Sequence, residues 1–414
     1  MKNTTRSFRL ACSAEQAPDV EALLRAEGFD FQPEPFFALA RTLTAEPMPL
    51  GRSIAARFGY IYIQDKSSML PPLALAPQPG DRVLDLCASP GSKTGILSAL
   101  VGPAGLVLAN EPSPDRLATL RVNMRHLGCL NVATCKYEGQ ALPLGRGSWP
   151  VILLDAPCSG WGTVDKNPMA AKMWAGEKTA PLETLQRELL AKAAELLAPG
   201  GRILYSTCTT NERENEAQVR FAMDHLGLEP LALLPFPSFG FAPSLPGCLL
   251  IDGESSGAQG FFLAALGKPG PADTEPEPLQ SALPGEIVSR KEFFERTGLD
   301  TGWLPEHSFL RVGGRVYLIM EQTRHLPPEL RWQGFGVGKS AGESILADAT
   351  LRMFVPPKPQ ADSLVLDCVR TIRSLLQGQS LPWTGSGKRL AFYYRGLPLG
   401  FLTIKGNRCL WSDR

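Results

Sequence analysis

Between residues 83 and 206, short runs that are almost wholly apolar alternate with stretches of helical period. The runs are Val83-Leu-Asp-Leu86, Leu106-Val-Leu-Ala109, Val151-Ile-Leu-Leu154 and Arg202-Ile-Leu-Tyr-Ser206. A strand that is apolar on both faces must be covered on both faces, and a strand–helix–strand repeat with parallel strands does this. The stretches between them carry helix signals. Lys93 to Val101 follows a turn. Ser113 can cap a helix that has Pro114 at its first position; Leu117, Leu120, Met124 and Leu127 recur at helical spacing, and Gly128 stands where a stop is expected. Leu182, Leu185, Leu189, Leu190, Ala193, Leu196 and Leu197 line one face of a longer helix, with Pro199-Gly200-Gly201 as its end. The expected fold class is α/β, with a Rossmann-like, doubly wound parallel sheet.

The flanks differ in character. Residues 1–65 read as a small αβ segment, with a helix around Val20–Leu24 and a strand over Phe58–Gln64. The sheet-forming domain spans 66–268. A stretch rich in Pro, Gly and acid follows, so a linker is expected over 269–284. The C-terminal region, 285–414, has room for two subdomains, and Arg389 to Ile404 reads as a β-hairpin around Arg395-Gly-Leu-Pro398. The whole chain is almost neutral, with 42 Lys+Arg against 41 Asp+Glu, which excludes a uniformly basic coat. Residues 285–414 nevertheless hold 18 of those bases and 12 of those acids, a net +6, leaving −5 for residues 1–284. A phosphate-facing surface is therefore expected in the C-terminal part, if those charges are more than an ordinary solvated surface.

No stretch reaches the roughly 18 apolar residues of a membrane span, and the first residues lack a secretory apolar region. The nine cysteines form no CxxC pair, which argues against a disulfide framework or a zinc ribbon. Reduced thiols in a cytoplasm fit better. His126, His225, His307 and His325 have no metal spacing, and no metal is expected.

Asp85-Leu-Cys-Ala-Ser-Pro-Gly-Ser-Lys-Thr94 follows a strand and opens a helix. Gly91 lets the backbone approach a ligand, and a helix N-terminus offers free N–H groups. A phosphate-binding P-loop would need glycines where Cys87 and Ser92 stand, and the G-x-G-x-x-G dinucleotide pattern is absent. Glu111 ends the next strand, 20 residues past Gly91, where an acid suits the ribose diol of a nucleoside cofactor; a capping glutamate is the plainer alternative.

Cys158 in Asp155-Ala-Pro-Cys158-Ser-Gly160 and Cys208 in Ser206-Thr-Cys208-Thr209 each follow an expected strand. Such strand ends line one crevice in an open parallel sheet, so the two thiols are expected to be neighbours. Cys12, Cys129, Cys135, Cys248, Cys368 and Cys409 read instead as small buried hydrophobes. Two thiols suit cytosine chemistry. A thiolate adding to carbon 6 makes an enamine whose carbon 5 can accept an electrophilic methyl group, and a second group can then assist release. A carboxyl such as Asp155 could hold the base edge, and Lys93 could supply the charge that lowers the attacking thiol. Glu212, Arg213, Glu214 and Glu216 are expected to cap and solvate the following helix. An exocyclic-amine methyltransferase would carry an aromatic motif where Asp155-Ala-Pro-Cys158 stands.

Taken together, Asp85–Thr94, Glu111, Asp155–Gly160 and Tyr205–Glu216 resemble the Nol/Nop/Sun RNA (cytosine-5) methyltransferases. The resemblance implies a methyltransferase core that uses S-adenosylmethionine. It implies that Cys87, Ala88, Ser89, Pro90, Gly91, Ser92 and Lys93 form the cofactor loop and that Glu111 binds the ribose. It further implies that Asp155 is the acid of the site, Cys208 the nucleophile and Cys158 the release cysteine. Glu138, where the family often has Asp, would lie by the adenine. The overall plan is similar to that of the bacterial RsmF (YebU) branch. It implies a PUA-like RNA-binding end, 16S ribosomal RNA or the small subunit as partner, and a monomer. Transfer RNA and a non-catalytic RNA-binding assembly factor are the alternatives. Lys388, Arg389, Arg395, Lys405 and Arg408, interleaved with Phe392, Tyr393, Tyr394 and Phe401, are the candidate RNA contacts; those aromatics suit either stacked bases or a core.

Overall fold

The computed structural model describes residues 6–163, 176–271, 283, 285–342, 344–348 and 351–411. Most of the expected linker, 269–284, lies outside the described residues.

The chain opens with a four-stranded antiparallel sheet of β1 (Ser7–Leu10), β2 (Asp30–Pro33), β3 (Ala40–Ala45) and β4 (Ile61–Ile63), in the order β2-β3-β1-β4. Helix α1 (Ala17–Ala26) buries Val20, Leu23 and Leu24 against it, and α2 (Ile54–Arg57) precedes β4.

After α3 (Leu70–Leu75) the central domain runs β5 (Arg82–Asp85), α4 (Ser92–Val101), β6 (Leu106–Asn110), α5 (Pro114–Leu127), β7 (Val132–Cys135), β8 (Trp149–Asp155), α6 (Ala180–Leu196), β9 (Leu197–Thr207) and α7 (Glu216–Leu226). Strands β10 (Glu229–Leu231), β11 (Gly240–Ala242), β12 (Cys248–Asp252) and β13 (Phe261–Gly267) complete it. The spatial order is β11-β12-β13-β9-β8-β5-β6-β7, with β10 also on β13. Strands β9, β8, β5, β6 and β7 are parallel. Their residues alternate between two layers, as a strand of period 2 requires. Leu84, Leu108, Ile152, Leu154 and Ile203 pack with Leu189, Leu190 and Val219 of α6 and α7. Val83, Val107, Val151, Leu153 and Leu204 pack with Leu70, Leu97, Leu117 and Leu120 of α3, α4 and α5.

The sheet is mixed rather than wholly parallel. Strands β10 to β13 are antiparallel to their neighbours; between β12 and β13 the connection, residues 253–260, is too short for a parallel crossover. The long helix also ends at Leu196, earlier than its glycines suggest, because Leu197 already pairs with Trp149 as part of β9. The strand order reverses between β5 and β8, so the crevice outside their C-terminal ends is where a ligand belongs.

Two further sheets follow. The first is β14 (Glu286–Val288), β15 (His307–Val312), β16 (Arg315–Met320), β18 (Phe335–Ala341) and β19 (Ser344–Ala347), all antiparallel. From its midst β17 (Trp332–Gln333) leaves to pair with β7 and extend the central sheet. The second is β20 (Leu364–Leu366), β21 (Ser380–Pro382), β22 (Arg389–Tyr394), β23 (Leu397–Lys405) and β24 (Arg408–Leu410), in the order β20-β22-β23-β24-β21. Strands β22 and β23 form the hairpin read from the sequence.

That second sheet and the N-terminal sheet share one core: Phe8, Leu10, Phe58 and Tyr60 meet Leu390, Phe392, Tyr394 and Leu399. The aromatics of the hairpin are therefore core. Phe392, Tyr393 and Tyr394 are wholly buried and are not a stacking platform for bases. The Tyr60 hydroxyl donates to the Pro398 carbonyl at 2.6 Å. Arg352 joins three parts of the chain. Its Nη2 donates to the carbonyls of Ala11, Gly59 and Leu127 at 3.4, 3.2 and 3.1 Å, and its guanidinium lies 4.2 Å from the centre of the Tyr60 ring. Arg352→Ala removes a charged donor from three carbonyls and a cation from a buried ring, and is expected to destabilise the protein by about 2–4 kcal/mol. Urea unfolding measures this, and an unchanged midpoint contradicts the role given to Arg352.

Candidate active site

Four strand ends build the site. The loop after β5 starts α4 at Gly91, whose φ of +101° favours glycine. A Cβ on Gly91 would sit 2.6 Å from the Met124 methyl and 2.9 Å from Leu120 Cδ1, so the residue also permits α5 to pack here. The loop is pinned to α5 by Ser89 Oγ donating to the Arg116 carbonyl (2.9 Å) and Asn123 Nδ2 donating to the Pro90 carbonyl (2.8 Å). Within it Ala88 and Gly91 are buried, Cys87, Ser89 and Ser92 are half-buried, and Pro90 is exposed. Burial holds the Cys87 thiol far above its ordinary range.

Lys93 leaves the first turn of α4 and reaches across the switch point. Its Nζ lies 2.7 Å from Asp155 Oδ2 at the end of β8 and 5.3 Å from the centre of the Phe261 ring. Burial works against its charge, yet Asp155 foremost, with Cys208 and Asp85, outweighs burial and keeps the ammonium above the usual lysine range. The other Asp155 oxygen accepts from Ser206 Oγ at 2.8 Å. Asp155 is thus oriented by two partners and still partly open to the cleft, with a side-chain exposure of 27%.

Cys158 and Cys208 meet as their positions imply, with sulfur atoms 3.3 Å apart. They are not equivalent. A hydrogen bond from Cys158 lowers the acidity threshold of Cys208, Lys93 adds to this, and together they outweigh burial and Asp155. The same contact, with burial, pushes Cys158 well up. Of the two, Cys208 is therefore the thiol that ionises more readily. This arrangement can present a nucleophilic sulfur with a thiol beside it and a fixed carboxylate within the same cleft.

The turns that carry the two cysteines are held by residues read otherwise in the sequence. Glu214 does not solvate a helix; it is wholly buried. Its Oε2 accepts from the Ser159 N–H (2.8 Å) and Gln186 Nε2 (3.1 Å). Its Oε1 accepts from Ser159 Oγ (2.5 Å) and Asn211 Nδ2 (3.0 Å). Glu216 is also buried, while Glu212 and Arg213 are exposed as expected. Asn215 brackets Cys208, accepting from Thr207 Oγ1 (2.5 Å) and donating to the Thr209 carbonyl (3.0 Å). Gly162 donates its N–H to the Cys208 carbonyl at 3.0 Å, and a Cβ there would lie 2.2 Å from the Gly260 carbonyl oxygen. The signal for Glu214 and Asn215 was present in the polar run Asn211–Glu216, which is too dense in hydrogen-bonding groups for a simple capping turn.

The cofactor side has two matching features. Glu111 is 2% exposed at the end of β6; its Oε1 accepts from the Ser113 N–H at 3.0 Å. Asp85, unassigned in the sequence reading, is buried, and its Oδ2 accepts from Thr94 Oγ1 at 2.7 Å. Its Oδ1 has no hydrogen-bond partner. Burial foremost, and then Asp155, push Asp85 up to about 7 against the Thr94 bond and Lys93. A buried carboxyl oxygen without a partner calls for a donor or a cation, and an acid after β6 calls for hydroxyls. S-adenosylmethionine carries an ammonium, a sulfonium and a ribose diol, so this donor set fits it. Glu138 lies exposed just after β7, beside Tyr137, whose N–H and carbonyl are held by Asn110.

The hairpin bases are not brought to the cysteines. Lys388, Arg389, Arg395, Lys405 and Arg408 are exposed on the C-terminal sheet, where Arg389 donates to the Thr297 carbonyl and Arg408 to Ser380. Among the cysteines read as buried hydrophobes, Cys129, Cys135 and Cys409 are buried and Cys12 and Cys248 half-buried. Cys368 is a correction: it is exposed at the start of the helix Val369–Leu376.

Glu214→Ala takes the acceptor from four donors beneath Cys158. It is expected to open this turn by about 3 kcal/mol, read as faster hydrogen exchange at the Ser159 amide. Unchanged protection there contradicts the clamp.

Similarity to known proteins agrees with this geometry. Residues 72–266 match the family described as 16S rRNA methyltransferase RsmB/F. A ribosomal RNA small subunit methyltransferase F of Shewanella loihica is 30% identical, over 94% of this chain and 84% of that protein. One from Klebsiella pneumoniae is 36% identical over 66% of this chain and 59% of its own length. Among solved structures, a methyltransferase homologue from Pyrococcus horikoshii is 32% identical with a TM-score of 0.54, covering 64% of this chain and 86% of that one. The NSun6 of Pyrococcus horikoshii, at 22% identity and a TM-score of 0.58 over 65% of this chain and 91% of that one, shares the fold. The chain belongs to the 16S rRNA methyltransferase RsmB/F family.

Proposed function

We propose that this protein methylates carbon 5 of a cytosine in 16S ribosomal RNA, with Cys208 as the covalent nucleophile. The observation that carries the reading is the 3.3 Å contact of two thiols, which shift each other's proton affinity in opposite directions. Two like groups with separated affinities have separate roles.

The Cys208 thiolate adds to carbon 6, forming a C–S bond and moving the ring's electron pair toward carbon 5. Asp155, oriented by Lys93 and Ser206, is the group to receive the exocyclic amine of the base. S-adenosylmethionine, when bound, supplies the methyl group that carbon 5 accepts; Glu111, Asp85 and the 87–93 loop would hold it, with Glu138 at the adenine side. The hydrogen on carbon 5 then leaves as a proton, the C–S bond breaks, and carbons 5 and 6 recover their double bond. Cys158, adjacent to the departing sulfur, assists that release. The base must be unstacked for the sulfur to reach carbon 6. The exposed hairpin bases Lys388, Arg389, Arg395, Lys405 and Arg408 belong to the C-terminal region 285–414, across the linker 269–284 from the core 66–268 and packed on the N-terminal segment 1–65, and would offer at most a secondary set of phosphate contacts.

Cys208→Ala is expected to abolish methyl transfer, by at least about 10³-fold. Cys158→Ala is expected to trap an RNA–protein adduct that survives a denaturing gel and disappears in the double variant Cys158→Ala/Cys208→Ala. Sequencing the attached RNA names the cytosine. Methyl transfer retained by Cys208→Ala contradicts the covalent scheme.

A further inference from the structure

Lys136 follows β7 and Arg331 precedes β17. The pairing of Trp332 with Cys135 sets these two bases side by side, on the same edge of the sheet as Asp85, Glu111, Asp155 and Cys208. That position is four strand intervals from β9, about 19 Å at ~4.8 Å each. A groove of about 480 Å³ starts there, lined by Arg121, Lys136, Tyr137 and Arg331. A second, of about 470 Å³, shares Arg121 and Gln333 with it and continues to Arg315 and Lys339. The two form one furrow between α5 and the sheet β14–β19.

The charge of this furrow is unspent. Among the described residues no ion pair is recorded for Arg121, Lys136, Arg315, Arg331 or Lys339, whereas nearby Arg311 and Arg324 lie on Glu286 and Glu321. Among the described residues, Asp348 is the acid that lines the furrow, and it is paired with Arg125. Between the bases stand Val122 and Leu346, 66% and 64% exposed, among the most exposed large apolar side chains described. Unpaired bases alternating with open apolar surface suit a single nucleic-acid strand, whose phosphates and flat bases need both.

We propose that this furrow is the track along which the RNA strand runs to the cysteines. The proposal rests on the RNA methyltransferase reading above and adds the contact surface. It puts the principal phosphate contacts on the β14–β19 sheet and α5 rather than on the C-terminal hairpin.

The test uses the full chain and a 16S ribosomal RNA transcript. Arg315, Arg331 and Lys339 are exposed and, among the described residues, their side chains make no hydrogen bond, so Arg315→Ala/Arg331→Ala/Lys339→Ala is expected to fold and to bind S-adenosylmethionine as the wild type does. Its KM for the transcript is expected to rise at least tenfold with kcat within about twofold. The slope of log Kd against log salt should fall by about 2, at roughly 0.7 per lost phosphate contact. Arg315→Lys/Arg331→Lys, which keeps the charges, should retain a KM near wild type. If the wild type methylates the transcript and the alanine variant does so with unchanged KM and salt slope, the furrow is not the track. If the wild type neither binds nor methylates the transcript, the underlying reading fails and the proposal fails with it.

Discussion

The contact between Cys158 and Cys208 organises the site. Two thiols at van der Waals distance in a partly buried cleft cannot both ionise cheaply, so the proton must settle on one of them. Lys93 favours ionisation of Cys208, against burial and Asp155. The ammonium favours the Cys208 thiolate electrostatically while it pairs with Asp155, and the contact with Cys158 favours it further. Much of the surrounding polar structure serves this geometry. Glu214 holds the turn of Cys158, Asn215 holds the turn of Cys208, and Gly162 permits the two turns to hydrogen-bond directly. The sheet's contribution is to bring four strand ends to one switch point, so that residues distant in the chain share one cleft.

The parts of this that were legible in the sequence are those fixed by short-range pattern. Runs such as Val151–Leu154 announce strands covered on both faces, and Ser113, Pro114 and Gly128 mark α5 almost to the residue. Two cysteines at expected strand ends implied a shared cleft, and their sulfur atoms do meet. What was not legible depends on long-range contact. Glu214 reads as a surface acid until the turns of Ser159 and Asn211 and the helix carrying Gln186 are seen to converge on it. Phe392 and Tyr394 stayed open between base platform and core because nothing local reveals the N-terminal sheet that covers them.

The same long-range contact explains why the outer parts of the chain matter to its centre. The N-terminal sheet and the C-terminal sheet form one core, and Arg352 ties both to the end of α5. Strand β17 adds a segment of the C-terminal region to the edge of the central sheet. The surface beside the active centre is thereby composed of both the methyltransferase fold and its appended region. The fold of the RsmB/F family is here held on a frame that runs from the first strand to the last.

The most direct test of the central claim is the pH dependence of alkylation at Cys208. Purified protein would be treated with iodoacetamide and the Cys208 peptide quantified by mass spectrometry. The account predicts that Cys208 reacts with a midpoint below the ordinary thiol value of about 8.5, and that removing the donor thiol or the ammonium, as in Cys158→Ala or Lys93→Met, moves the midpoint upward. The direction follows because both groups stabilise the thiolate, so that losing either favours the protonated form. A Cys208 midpoint at the ordinary value, unmoved by Cys158→Ala, would contradict the account.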